Sequence, residues 1–351
     1  MRNQITEGPI LKPLLAFFFP ILLGTFFQQL YNTVDAIVVG NFVGTAALGA
    51  VGGPTAVIIN FLVNLFVGLS SGTTVVIAQY YGARQGEALR DAVHTSIALA
   101  LAAGVIITVV GIAASKLVLN LMGTPADVMG YAVTYLQVYF CGSVASFIYN
   151  MGASILRAMG DTRRPLFFLI AACMTNIVLD LFFVVVLGLE VFGAALATVL
   201  SQVVSALLVA FVLLHPGNVY TVVPKDICFH KDKLLRIVRI GLPAGIQSNM
   251  YTLSNMVLQS CINSFGTVTV AAWTAFGKVD AFYWLVSGAF GVSITTFVSQ
   301  NFGAQQYDRV KRGVRVCLAV TFAVTIAISL IFCAAAPLLL RLFTGDQSVI
   351  Q

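Results

Sequence analysis

Three of the thirteen acidic residues, Asp35, Asp180 and Asp280, fall inside long apolar runs. An acid at the centre of a membrane-spanning helix costs about 2.5 to 3.5 kcal/mol on insertion scales, so such residues usually face a cavity or a partner. At about 1.5 Å of rise per residue, Asp35, Asp180, Thr198 and Tyr135 reach similar depth in their runs. Asn176 precedes Asp180 by four residues and shares its helix face. Two carboxylates, an amide and a hydroxyl at one depth make an oxygen-lined site for Na⁺, or a pair that holds one proton. The other reading of these groups is that each satisfies a backbone or amide partner and only joins helices.

Lys278 and Asp280 are the other charged residues inside a run. At i and i+2 they point to different faces of a helix. Contact with a substrate in a cavity, a local pair and snorkelling toward the outer interface are the readings open to them. Pro20 removes a backbone hydrogen bond from the run that carries Asp35 and favours a bend there. Asn150, Gln28 and Gln29 are uncharged polar residues in runs, where they join helices or contact a substrate.

The elements that must position these residues are membrane helices. The chain has 351 residues, of which 59% are hydrophobic and 9% charged, with a mean hydropathy of +0.96. A soluble domain is about 25% charged. The sequence predicts an all-α integral membrane protein with nine spans, near 13–38, 47–79, 93–115, 129–155, 165–188, 191–214, 238–263, 268–300 and 315–338. With a cytoplasmic N-terminus, sixteen of the nineteen Lys and Arg fall on the cytoplasmic side; Lys116 and Arg341 fall outside, and Lys278 lies within a span. This bias explains the net charge of +6 without nucleic acid. The six cysteines are scattered and form no disulfide framework or zinc pattern.

An internal repeat is visible. GARQGEALRDAV at 82–93 matches GAQQYDRVKRGV at 303–314, an offset of 221, and three further matches lie at 221 to 223. Both copies start on the same side, so two parallel lobes with a cavity are expected, as in transporters. The lobes are 1–215, with six spans, and 238–351, with three; 216–237 is a basic cytoplasmic linker. A counterpart of 131–215 is absent from the second copy, so a chain truncated at its C-terminus is expected. The counterpart of Asp35 is Leu258 or Val257, as for a single coupling site in one lobe.

No P-loop, H-E-x-x-H, C-x-x-C or lipase-type G-x-S-x-G is present. A membrane-embedded enzyme would need a cluster of His, Asp or Arg near one interface, and none is visible.

Several stretches together resemble the multidrug and toxic compound extrusion (MATE) family: Pro20 with VDAIVVG around Asp35, AQYYGARQ at 78–85, ILRAMGDTRRP at 155–165, TNIVLD at 175–180, FGAALAT at 192–198 and VSQNFGAQ at 298–305. TNIVLD followed by Thr198 is similar to the DinF-like branch. The resemblance implies a two-lobe helical bundle with alternating access and no cofactor. It implies export of cationic or amphipathic small molecules against H⁺ or Na⁺ by a monomer in the inner membrane of a prokaryote. It places Asp35, Asn176, Asp180 and Thr198 at a cation site, the metal ligands if the ion is Na⁺. Tyr135 and Asn150 stand near that site, and Pro20 is the bending proline. Gln28, Lys278 and Asp280 are candidates for the substrate cavity. The alternative within the superfamily is a flippase of lipid-linked precursors, whose lumen would need several bases where this chain has Lys278.

Overall fold

A computed structural model describes residues 5–265 and 267–341. The described chain is helical throughout. Its elements are α1 (Leu11–Phe42), α2 (Thr45–Gly52), α3 (Pro54–Gly82), α4 (Gly86–Leu121), α5 (Ala126–Cys141), α6 (Ser143–Ala158), α7 (Arg163–Asp180), α8 (Glu190–Leu214), α9 (Lys231–Asn263), α10 (Thr267–Gly303) and α11 (Tyr307–Arg341).

The helices follow the expected spans, with three refinements. Span 2 is broken at Gly53–Pro54, where Pro54 opens α3 at a position that needs no N–H donor. Span 4 is broken at Gly142 into α5 and α6, bent by 50°. Span 5 leaves α-geometry after Asp180 and continues as a π-helical turn, Leu181–Val186, in which the Leu187 N–H reaches back five residues to the Phe182 carbonyl at 3.0 Å. Seven helices are long and apolar enough to cross a membrane, and the bent α5–α6 pair makes an eighth. The expected span 238–263 does not meet that measure among the described residues. Gln247, Ser248, Asn249, Thr252, Ser254, Asn255 and Gln259 stud α9 and lower its hydropathy.

The repeat recurs in the backbone. Arg84 and Gln305, 221 residues apart, are left-handed at φ 57° and 58°, an uncommon state for residues with a side chain. Each ends its helix with the same pattern: Gln85 N–H to the Tyr80 carbonyl at 3.0 Å, and Gln306 N–H to the Asn301 carbonyl at 2.8 Å. The helices cross through small residues. Gly68 and Gly72 of α3 lie against the backbone of Gly241 and Gly245 on α9, so closely that a methyl group would have no room.

The loops carrying most Lys and Arg gather at one end of the molecule, the basic end. There each half of the chain holds the segment leading into the other. Arg309 of α11 donates to the Ile5, Glu7 and Gly8 carbonyls just before α1. On α4, Arg90 pairs with Asp226, Thr95 accepts from the His230 N–H at 3.1 Å, and His94 Nε2 accepts from the Val223 N–H at 3.0 Å, all just before α9. Phe18 of α1 stacks on Phe290 of α10 at 4.1 Å within an apolar cluster that includes Leu14, Phe17, Ala289 and Phe297. These contacts join the two halves at the basic end.

Candidate functional site

α1, α7 and α8 bring the expected polar residues together. Asp35 is 4% exposed, and Asn176 and Asp180 are fully buried. The Asn176 side-chain amide donates to Asp35 Oδ1 at 3.4 Å, and the Thr198 hydroxyl lies 3.1 Å from Asp35 Oδ2. The Asp180 carboxyl is a close neighbour of that of Asp35. With both groups ionised, neither Asp180 oxygen finds a donor, and Asn176 Oδ1 is also buried without one. Among the described residues no Lys or Arg pairs with either acid.

Three orphaned buried acceptor oxygens beside a second carboxylate are costly unless something positive sits with them. A hard monovalent cation or a proton fits that donor set. The π-helical turn begins directly after Asp180 and withdraws the usual i→i−4 bonding there. Such turns are frequent at functional sites.

This cluster sits at a cavity of about 640 Å³ lined by α1–α3 and α5–α8. Pro20, Gln28, Asp35, Tyr135, Asn150 and Thr198 line it. α1 passes unbroken through Pro20. Tyr135 stacks with Tyr139 at 6.4 Å, and the Asn150 amide donates to the Ser146 carbonyl at 2.8 Å. Asp280 does not line this cavity; its carboxylate accepts from Trp284 Nε1–H at 2.9 Å, one turn along the same helix. The Lys278 side chain lies outside the described residues.

The sequence did not single out Tyr31, Tyr139, Tyr149, Gln202 or Arg157, which also line the cavity. Tyr31 precedes Asp35 by one helical turn, and that i, i+4 spacing was the available signal. Arg157 looked like one more cytoplasmic base at a helix end.

A bundle of apolar membrane helices with an internal cavity and a buried acid pair defines a multi-pass helical membrane protein with a polar site of its own. The family model described as MatE matches residues 20–182 and 243–351. The chain belongs to the MATE family, whose members are transporters rather than enzymes. Two relatives are similar: a protein of Bacillus subtilis (strain 168) named "Probable multidrug resistance protein YpnP", 30% identical, covering 88% of this chain and 68% of that one, and the multidrug export protein MepA of Staphylococcus aureus (strain NCTC 8325 / PS 47), 24% identical, covering 98% and 76%. A crystal structure of a MATE protein in its bent conformation superposes with a TM-score of 0.93 at 27% identity, covering 100% of this chain and 79% of that one. These relatives do not favour the flippase alternative.

Proposed function

We propose that the chain is a secondary antiporter that exports drugs or other cationic and amphipathic small molecules against H⁺ or Na⁺ by alternating access. The observation that carries this reading is the Asp35–Asp180 pair, buried at the wall of a cavity with no basic partner among the described residues. Asp35, Asn176, Asp180 and Thr198 hold the coupling ion, with Tyr135 and Asn150 near it. Pro20 lets the helix carrying Asp35 change its bend.

The mechanism is a population shift. A proton or Na⁺ on the acid pair favours one conformation, and the exported molecule favours the other. Each acts only through its different affinity for the two states. Residues 1–215 form the ion-binding lobe and 238–351 belong to the second, joined by 216–237. The protein sits in the inner membrane, among lipids, with the N-terminus and basic end cytoplasmic, in line with the positive-inside bias. Joined halves at that end would hold the cavity shut off from the cytoplasm. Gradient-driven export of a fluorescent cationic dye from cells or vesicles tests this reading. Export that requires neither a proton nor a Na⁺ gradient contradicts it.

A further inference from the structure

We propose that Arg157 is an anion anchor in the cavity. The cavity then accepts amphipathic aromatic molecules carrying a carboxylate or phosphate as well as bare cations. This rests on the transport reading above and specifies its substrate class.

Arg157 stands in the last turn of α6, and its side chain lines the same cavity as Asp35. A guanidinium carries five N–H donors in a fixed fork. Nη2 donates to Ser154 Oγ at 2.9 Å, while Nε is buried with no acceptor. No carboxylate lies within ion-pair distance among the described residues. An Arg placed only to complement the end of α6 would reach for water or for the last carbonyls. This one faces inward with donors to spare, and an oxyanion of planar, forked geometry is what such a group binds best.

The acids do not neutralise it. Asp35 is level with Asn176 on α7, and Arg157 lines the cavity beside Thr162 and Pro165 at the start of that helix. Pro165 and Asn176 are eleven residues apart, about 16 Å by helix rise. The cavity is therefore bipolar along its length. One end is acidic and serves the coupling ion, and the other is cationic and unpaired. Tyr31, Tyr139 and Tyr149 line it as well and offer aromatic faces to a flat molecular body. The Tyr149 hydroxyl is already committed to the Pro165 carbonyl at 3.3 Å. Among the described residues lining the cavity, Arg157 is the one that brings a positive charge to a substrate anion.

The test is equilibrium binding to the protein in lipid nanodiscs, read by fluorescence anisotropy. The probes are rhodamine B, which bears a free carboxylate, and its ethyl ester, which shares the ring system and the positive charge. In Arg157→Gln the affinity for the acid should fall about tenfold relative to the ester, and Arg157→Lys should retain part of the difference. On the unaltered protein, millimolar benzoate should displace the acid more readily than the ester, which decides the matter should Arg157→Gln not fold. An unchanged acid-to-ester ratio, or equal displacement by benzoate, overturns the anion anchor and leaves the transport reading standing. Failure of both dyes to bind the unaltered protein removes the cavity as a substrate site, and the anchor with it.

Discussion

Gly82 of α3 and Gly303 of α10 occupy equivalent places on one helix crossing. A methyl on Gly82 would come within 2.0 Å of the Gln300 carbonyl oxygen, and one on Gly303 within 2.0 Å of the Gln79 carbonyl oxygen. Both pairs are related by the repeat offset of 221, so the contact is reciprocal about a local two-fold relationship.

The crossing joins α3 to α10 across the two halves, so enlarging it should push them apart at the basic end. Backbone cannot give way as a flexible side chain can, and overpacking such a contact costs about 1 to 3 kcal/mol. Gly82→Ala is expected to lengthen the distance between spin labels placed across the two halves at the basic end. An unchanged distance distribution, with normal folding, would show that the crossing does not govern closure.

Arg309 fastens the segment before α1 to α11 through three carbonyls. Hydrogen bonds from a charged donor are each worth about 1.5 to 3 kcal/mol, less where the donor is partly solvated. Arg309→Ala should therefore cost about 1 to 2 kcal/mol and speed proteolysis at the N-terminal segment. The check is a cleavage time course against the unaltered protein; equal rates would mean that the strap holds nothing.

Asp180 adds a second acid next to Asp35 with no donor to either of its oxygens. Groups placed for function are often poorly placed for stability. Asp180→Asn removes the like charge and supplies a donor. It should raise the thermal midpoint by a few degrees, equivalent to about 1 kcal/mol, while abolishing coupled export. A fall in the midpoint would mean that the pair is structural.

Thr198 contributes its hydroxyl to Asp35 at 3.1 Å, but that hydroxyl also lies 3.1 Å from the Ala194 carbonyl of its own helix. Thr198→Val keeps the shape and removes the donor. Losing a donor to a buried carboxylate costs about 1 to 3 kcal/mol. The half-saturating concentration of the coupling ion in vesicle export should change by tenfold or more at unaltered folding. No change would place Thr198 outside the ion site.

Much of this was legible in the sequence because membranes punish charge. Asp35 and Asp180 stood out against apolar runs, and counting depth along their helices placed Thr198 and Asn176 beside them. The repeat was legible from GARQ and GAQQ because the left-handed residue after each helix recurs with them. What stayed hidden has physical reasons. The π-helical turn after Asp180 leaves no mark in LFFVVV. The break at Gly142 depends on how α5 and α6 pack. Arg157 lies where a sequence places bases for orientation, and only the packing of α6 shows its side chain turned into the cavity. Asp280 carried the same intramembrane signal as Asp35, yet it accepts from Trp284 on its own helix in an exposed hydrogen bond and does not line the cavity.

The central claim is that Asp35 holds the coupling ion, and export of a fluorescent cationic dye by Asp35→Asn tests it most directly. Asparagine keeps the side chain's shape and one of the two oxygens that accept from Asn176 and Thr198, but it cannot carry the charge. With normal expression and folding, gradient-driven export should fall to the level of cells lacking the protein, while dye binding to the purified variant persists. Export at the unaltered rate under the same proton and sodium gradients would contradict the account.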